Sequence, residues 1–272
     1  MRTSRVMREQ REGVLSSCVK LNLNSPDAVE IAGLSGFSAV WICMEHGSAS
    51  WNDISHLVRA GKVHDVDVIV RVSKGAYSDY VKAFECDAAA IMVPHVTSAK
   101  EAAAVVEMCR FQPVGMRPLD GGNADGAYCV APQKEYLANG NQEKFIILQI
   151  ESPEGLEAVE EIAAVSGYDF LVFGPGDFTH RIGKLAGDPA PEVEAARERV
   201  EAAARKFGKI GFGVGVQGTP QEIKDKGYGI VNLSSDVQAL ESAWGAALDK
   251  FHQGSVRAGY YRMDAGKTDQ TK

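Results

Sequence analysis

Phe145-Ile-Ile-Leu-Gln-Ile-Glu-Ser-Pro153, read together with Asp169-Phe-Leu-Val-Phe-Gly-Pro-Gly-Asp177, decides the fold of this chain. Each stretch is a short run of β-branched, aliphatic and aromatic residues that ends in an acid. Runs this apolar read as strands buried on both faces, as in a parallel sheet. A carboxylate does not belong in such a core unless it is paired or binds a cation. Glu151 and Asp177 both fall where a strand gives way to a loop. Two strands that each deliver a carboxylate to one rim would build a hard divalent-metal site. The alternative is that Glu151 caps the following helix and Asp177 is a turn residue.

Strand-like runs repeat on either side of this pair. They are expected at Val14–Lys20, Ser38–Cys43, Asp67–Val72, Ala89–Val93, Ile210–Val216 and Gly229–Leu233. Helical runs separate them. Ser25-Pro26, Ser152-Pro153 and Thr219-Pro220 each place a side-chain cap before a proline at the first helical position. Ser50 with Asp53, and Ser98 with Glu101, have the spacing of a capping box. Eight strand-like runs alternate with helical ones, with no hairpin signal between them. Such alternation implies parallel pairing, and eight units close into a (β/α)8 TIM barrel.

The 272 residues suit one such barrel. A single domain is expected over 1–253, beginning with a polar helix. A long polar segment, rich in glycine and asparagine, interrupts it near 113–141, and a polar tail follows over 254–272. Insertions of that length in a compact domain are usually functional loops. Hydrophobic residues at 45% and charged residues at 24% are ordinary for a globular protein. A net charge of −7 without any basic run argues against a nucleic-acid surface. No apolar run is long enough to span a bilayer, and the charged N-terminus lacks a signal-peptide core. The five cysteines are scattered and contain no CxxC pair, which fits a reducing compartment and a cytoplasmic protein.

Barrel enzymes keep their chemistry at the C-terminal ends of the strands. The polar residues expected there are Glu45, His46, Arg71, Gln149, Glu151 and Asp177, with His95 a further candidate beside a strand end. His56, His64, His180 and His252 fall in helices or peripheral loops. A guanidinium in a buried strand is costly unless it faces an anion, so Arg71 is expected to meet a substrate oxygen. Gly174-Pro-Gly-Asp177 offers consecutive backbone N–H groups to a carboxylate, and His46 can move a proton near neutral pH. Each feature also has a structural reading: a lone histidine, a salt-bridged arginine, a simple turn. Their joint placement on one rim favours chemistry, and the combination suits a 2-oxo acid that must be enolised.

Met44-Glu-His-Gly47, Val70-Arg71, Ile91-Met-Val-Pro94, Gln149-Ile-Glu151 and Gly174-Pro-Gly-Asp177 occur in the order and approximate spacing of the metal-dependent class II pyruvate aldolases of the HpcH/HpaI group. The chain resembles that family over about residues 14 to 250. The group includes 4-hydroxy-2-oxoheptanedioate and 2-dehydro-3-deoxyglucarate aldolases. The resemblance implies a barrel of the phosphoenolpyruvate/pyruvate-domain type. It implies cleavage of a 4-hydroxy-2-oxo acid to pyruvate, or a similar 2-oxo acid, and an aldehyde through a metal-stabilised enolate. It makes Glu151 and Asp177 the metal ligands, with Mg2+ the expected ion and Mn2+ or Co2+ the alternatives. The backbone of Gly176 and Asp177 would hold the substrate carboxylate, Arg71 the enolate oxygen, and Gln149 the substrate or metal-bound water. His46 would be the acid–base group, and Glu85 matches an acidic position near the metal-bound water. A homohexamer built as a trimer of dimers is also implied, acting on small molecules.

The sequence departs from the family at two places. The family carries an aspartate three residues before the histidine, where this chain has Cys43, a weak hydrogen-bond partner. Gly115-Met-Arg-Pro118 stands where the family more often has Arg-Gly after the first glycine, so the loop Leu119–Tyr128 is expected to admit a different aldehyde. Two further readings accompany the aldolase. One is an acyl-CoA lyase of the same superfamily, disfavoured by the lack of a basic patch for CoA phosphates. The other is a catalytically weakened 2-oxo-acid-binding protein, motivated by Cys43.

Overall fold

The computed structural model describes residues 2–75, 77–185 and 188–252. They fall into two compact units, one ending at Asp236 and one beginning at Val237. The expected tail over 254–272 lies outside the described residues.

The first unit holds eight parallel strands that close into a barrel in simple sequence order: β1 (Ser16–Leu21), β2 (Ala39–Cys43), β3 (Asp67–Arg71), β4 (Ala90–Val93), β5 (Phe145–Ile150), β6 (Phe170–Phe173), β7 (Ile210–Val214) and β8 (Tyr228–Ser235). Strand β8 pairs back onto β1, so no edge is left open. Helix α1 (Arg5–Arg11) precedes β1, and α2 (Pro26–Leu34), α3 (Trp51–Val63), α4 (Tyr77–Glu85) and α5 (Ala99–Cys109) follow the first four strands. The capping box at Ser50 and Asp53 forms as the spacing predicts. At the next helix, Ser98 caps, but Glu101 accepts instead from the Thr97 backbone N–H.

The segment read as a polar loop is partly helical. Its second half forms α6 (Gln133–Gln142). Its first six residues, Gln-Lys-Glu-Tyr-Leu-Ala, are mostly good helix formers, and only Asn139-Gly140-Asn141 at its end are weak, which is what hides the helix inside a segment rich in glycine and asparagine. Tyr136 packs edge-on against Phe111, and Gly140 lets the Phe111 ring lie against the helix. The first half is anchored by a buried ion pair between Arg117 and Asp125, 2.7 Å apart with both side chains fully covered. Lys144 reaches the same carboxylate at 3.1 Å.

The helical run after β5 divides into α7 (Pro153–Glu157) and α8 (Val159–Ala164). Helix α9 (Pro175–Arg181) follows β6, α10 (Pro191–Lys206) precedes β7, and α11 (Pro220–Asp225) lies between β7 and β8. The last helix, α12 (Asp236–His252), begins at the final residue of the first unit, and its residues from Val237 onward are the described part of the second unit.

Side chains alternate across each strand, so every second residue points into the barrel. Cys18, Trp41, Ile69, Met92, Phe145, Ile147, Phe170, Val172, Phe212 and Ile230 fill it as an apolar core. Trp41 and Phe212 meet edge to face at 6.0 Å across the interior. Val6 of α1 packs into this core from the N-terminal end. There Asp67 is buried against the Ser4 hydroxyl, the Val6 N–H and Arg2. Continuing the same alternation upward brings Cys43, Arg71 and Gln149 to the inner face at the opposite end. The packed layers below them therefore fix the floor of the site.

Candidate active site

Strand register sets the first contacts at the C-terminal rim. Cys43 and Arg71 are cross-strand partners between β2 and β3. The Arg71 guanidinium is 4% exposed and donates from Nε and Nη2 to Cys43 Sγ at 3.2 and 3.1 Å. It also lies 5.3 Å from the Trp41 ring centre, so the fork is clamped between an aromatic face and a thiol. Its Nη1 reaches Gln149 Oε1 at 3.4 Å. The Gln149 amide then donates from Nε2 to Glu151 Oε2 at 2.6 Å. Arg71, Gln149 and Glu151 thus form one chain of contacts across three strands' worth of rim.

Glu151, expected at this rim from its place at the end of β5, has a fully buried carboxylate. It accepts the His95 backbone N–H at Oε1, 2.9 Å away, and its Oε2 takes the Gln149 amide. Burial first, with the Asp177 charge adding, pushes Glu151 up to about 7, against the His95 N–H and the Arg71 charge. Gly174 makes this packing possible. A Cβ there would stand 2.7 Å from Gln149 Nε2, Glu151 Cβ and Glu151 Oε2.

Asp177 belongs to the first turn of α9 rather than to a simple turn. Gly174 is its N-cap and Pro175 opens it, so the N–H groups of Gly176 and Asp177 have no partner inside the helix. Gly176 is exposed, and a side chain there would meet open space.

His95 follows β4 and takes a left-handed backbone with φ of 52°. Its Nδ1 lies 3.2 Å from Glu151 Oε1 and its Nε2 lies 3.1 Å from Glu45 Oε1. Glu45 in turn places Oε2 3.3 Å from Arg71 Nε. Neither this Glu45 oxygen nor His95 Nδ1 gains an aligned hydrogen bond, although both are buried. Donor atoms of His95, Glu151 and Asp177 all lie within 4.8 Å of one another.

His46 stands apart at the mouth, with its side chain 57% exposed and Nε2 3.7 Å from Glu45 Oε2. Its backbone N–H, not its ring, meets Cys43 Sγ at 3.4 Å. Gly47 permits that tight turn, since a Cβ there would come 2.3 Å from the Cys43 carbonyl oxygen. Glu85 is not brought to the rim. It sits at the C-terminal end of α4 and lines an outer cavity of about 280 Å³ with Arg59, Lys82 and Tyr128. The next residue, Cys86, meets the Ser55 hydroxyl and the Trp51 carbonyl, so the end of α4 packs against the first turns of α3 on the outside of the barrel. The sequence had given His95 less weight than the structure does. Its signal was its place immediately after the Pro94 that ends a strand.

The donor set fits a divalent cation. Glu45 pairs with Arg71, Asp177 stands beside Glu151, and the buried Glu151, which feels the charge of both Arg71 and Asp177, has a raised affinity for a proton. A cation that replaced the proton would relieve both the burial and the Asp177 repulsion.

A closed parallel barrel with acids, an arginine and imidazoles on its C-terminal rim is the frame of a barrel enzyme that handles developing negative charge on oxygen. This chain belongs to the HpcH/HpaI aldolase/citrate lyase family, whose profile it matches over residues 17–243. It is 30% identical over 222 residues to a 2-dehydro-3,6-dideoxy-6-sulfogluconate aldolase of Pseudomonas putida, covering 80% of this chain and 85% of that protein. It is also 30% identical over 238 residues to a hydroxypyruvate/pyruvate aldolase of Paraburkholderia phytofirmans, covering 85% and 90%. Among solved structures, a family protein from Burkholderia cenocepacia superposes with a TM-score of 0.83 at 28% identity, covering 92% of this chain and all of that one. The chain is therefore an enzyme of the aldolase type, a carbon–carbon lyase. Among the described residues, no helix is long and apolar enough to cross a membrane.

Proposed function

We propose that this protein is a divalent-cation-dependent aldolase that cleaves a 4-hydroxy-2-oxo acid to pyruvate, or a similar 2-oxo acid, and an aldehyde. The observation that carries the metal site is the buried Glu151, with a carboxyl pushed up to about 7 and Asp177 beside it. Glu151 and Asp177 would hold the ion, with Mg2+ the expected occupant from the carboxylate pair. When bound, the cation would supply positive charge to the 2-oxo acid's carbonyl oxygen as that oxygen gains electrons.

The chain's own residues account for substrate binding and for the cleavage step, which leaves an enolate that takes up one proton at C3 to become the 2-oxo acid. The unpaired N–H groups of Gly176 and Asp177 take the substrate carboxylate, where a helix start favours an anion. As the C3–C4 bond breaks, its electrons pass into the 2-oxo acid fragment. Arg71, held in place by Cys43 and Trp41, donates to the oxygen on which charge develops. Gln149 keeps its amide turned toward Glu151 and its carbonyl toward Arg71, so it orients both groups. The departing aldehyde comes from the 4-hydroxyl, whose proton must be removed. His46, half-exposed at the mouth beside Glu45, is the base in this reading. Glu85 is not within reach of this rim in its own chain, and lies instead in the outer cavity with Arg59, Lys82 and Tyr128.

The weakened-enzyme reading retains one point in its favour, because the Cys43 thiol holds Arg71 and leaves the His46 ring without a carboxylate at hydrogen-bond distance. Proton exchange at the pyruvate methyl in D2O, followed by NMR, separates the two. Exchange that requires added Mg2+ or Mn2+ and stops with chelator supports the aldolase. Metal and pyruvate binding without exchange would overturn it. A hexamer assembled as a trimer of dimers belongs to the same proposal and is checked by light scattering. A cytoplasmic setting is supported by the free thiols of Cys18, Cys43, Cys86, Cys109 and Cys129.

A further inference from the structure

We propose that His95 is a third protein ligand of the metal, through Nδ1. The site would then be an imidazole–carboxylate–carboxylate set that prefers a late first-row ion over Mg2+. The inference rests on the metal site of the preceding section and adds a nitrogen donor to it.

Four observations converge on His95. Its Nδ1 is buried, lacks any aligned hydrogen bond, and lies 3.2 Å from Glu151 Oε1. Bonds of about 2.1 Å to one cation place neighbouring donors roughly 3 Å apart, so this separation is that of two ligands of a shared ion. A donor atom of Asp177 completes the group within 4.8 Å. The other ring nitrogen, Nε2, is 3.1 Å from Glu45 Oε1. Metal-bound imidazoles commonly have a carboxylate at their second nitrogen, and Glu45 stands at that position, where accepting the Nε2 proton would fix the tautomer and leave the first nitrogen's lone pair free for the ion. Finally, the left-handed backbone at His95 turns its own N–H onto Glu151 Oε1 at 2.9 Å, so one residue addresses that carboxylate from both backbone and ring.

A hydrogen bond from a protonated ring would explain the Glu151 contact less well. Nδ1 and Glu151 Oε1 are close without alignment, while the same oxygen already takes the backbone N–H. Imidazole nitrogen shifts a site's preference. Carboxylate, carbonyl and water sets suit Mg2+ and Mn2+, whereas nitrogen donors favour Co2+, Ni2+ and Zn2+. Glu45 then has two duties, orienting His95 with one oxygen and facing Arg71 with the other.

The test uses the full-length protein stripped with chelator. Mn2+ is added and 14N modulation from a directly bound imidazole is sought by pulsed EPR, with His95→Asn and His46→Asn alongside. Calorimetric titrations with Co2+ and with Mg2+ follow on the same proteins. Nitrogen modulation that disappears in His95→Asn but survives in His46→Asn supports the assignment. So does a loss of Co2+ affinity of at least about tenfold in His95→Asn with Mg2+ affinity unchanged. Bound Mn2+ without nitrogen modulation in the unaltered protein, or equal losses for both titrated ions, would overturn the role of His95 while leaving the two-carboxylate site standing. Failure of every ion to bind would instead overturn the metal site itself.

Discussion

Replacing Glu151 with glutamine should change how the metal-free protein responds to pH. In the folded chain this carboxyl is pushed up to about 7, from an ordinary value of 4.5. Folding therefore holds its proton more tightly than the unfolded chain does. Below about 4.5 the group is protonated in both states and costs nothing. Between about 4.5 and 7 the unfolded chain ionises first, so stability falls as pH rises. Above about 7 both states are charged and the loss is complete. At about 1.4 kcal/mol per pH unit the total is about 3 kcal/mol, a large share of an ordinary folding free energy. Glu151→Gln keeps the shape and the Gln149 contact region but removes the charge, so that slope should vanish. The assay is denaturant unfolding in the presence of chelator at pH 5 and pH 8. The wild type should lose stability across this interval relative to the variant. Added Co2+ or Mn2+ should restore the wild type at pH 8 far more than at pH 5, and leave the variant little changed. Equal slopes for the two proteins in chelator would refute the argument that the burial of this carboxylate is what calls for a cation.

Arg71→Ala should lower kcat by roughly 100- to 1,000-fold, the cost of one lost donor to a developing oxyanion, with the circular dichroism spectrum unchanged. Arg71→Lys should recover little, because a single ammonium cannot span Cys43 and Gln149 as the planar fork does. Gly174→Ala should destabilise the protein by about 1–3 kcal/mol and weaken cation binding, since its Cβ would collide with Glu151 and Gln149; thermal unfolding and calorimetry read the two effects. Arg117→Met should cost about 1–3 kcal/mol in denaturant unfolding by removing one of the two cations that hold the buried Asp125, with Lys144 left as its partner, without changing metal affinity.

The barrel was legible because its signals are local and redundant. Serine or threonine caps before proline mark three helix starts, and apolar runs ending at Cys43, Arg71, Val93 and Ile150 mark strand ends. The rule that chemistry sits at those ends also found Arg71, Gln149, Glu151 and Asp177, because strand parity sends alternate side chains inward. It missed α6, whose helix-forming start at Gln133–Ala138 is masked by the glycine and asparagine around it and whose weak end is held by packing on Phe111. Nor could it place Glu85, which the family pattern brought to the site. A position near the end of a helix gives no indication of which rim it serves until the helix's direction is known.

The histidines show the same boundary more sharply. His46 and His95 each follow a strand end closely, and sequence gives no reason to rank one above the other except the family motif around His46. Their roles are separated by the turn each enters. After β2 the chain turns back on Cys43 through Gly47, and the His46 ring is left at the mouth beside solvent. After β4 the left-handed step at His95 brings its ring down between Glu45 and Glu151. A single backbone angle therefore decides which imidazole can meet a buried ion and which can meet a departing aldehyde. The same geometry gives Cys43 its work. A thiol accepts from the guanidinium and from the His46 backbone without adding a fourth negative charge to a rim that already holds Glu45, Glu151 and Asp177. An aspartate at position 43 would pair with Arg71 and draw its charge away from the substrate oxygen. Cys43→Asp should therefore lower pyruvate methyl exchange in D2O while metal affinity is kept. A marked gain in exchange would show instead that the chain has lost a carboxylate it needs.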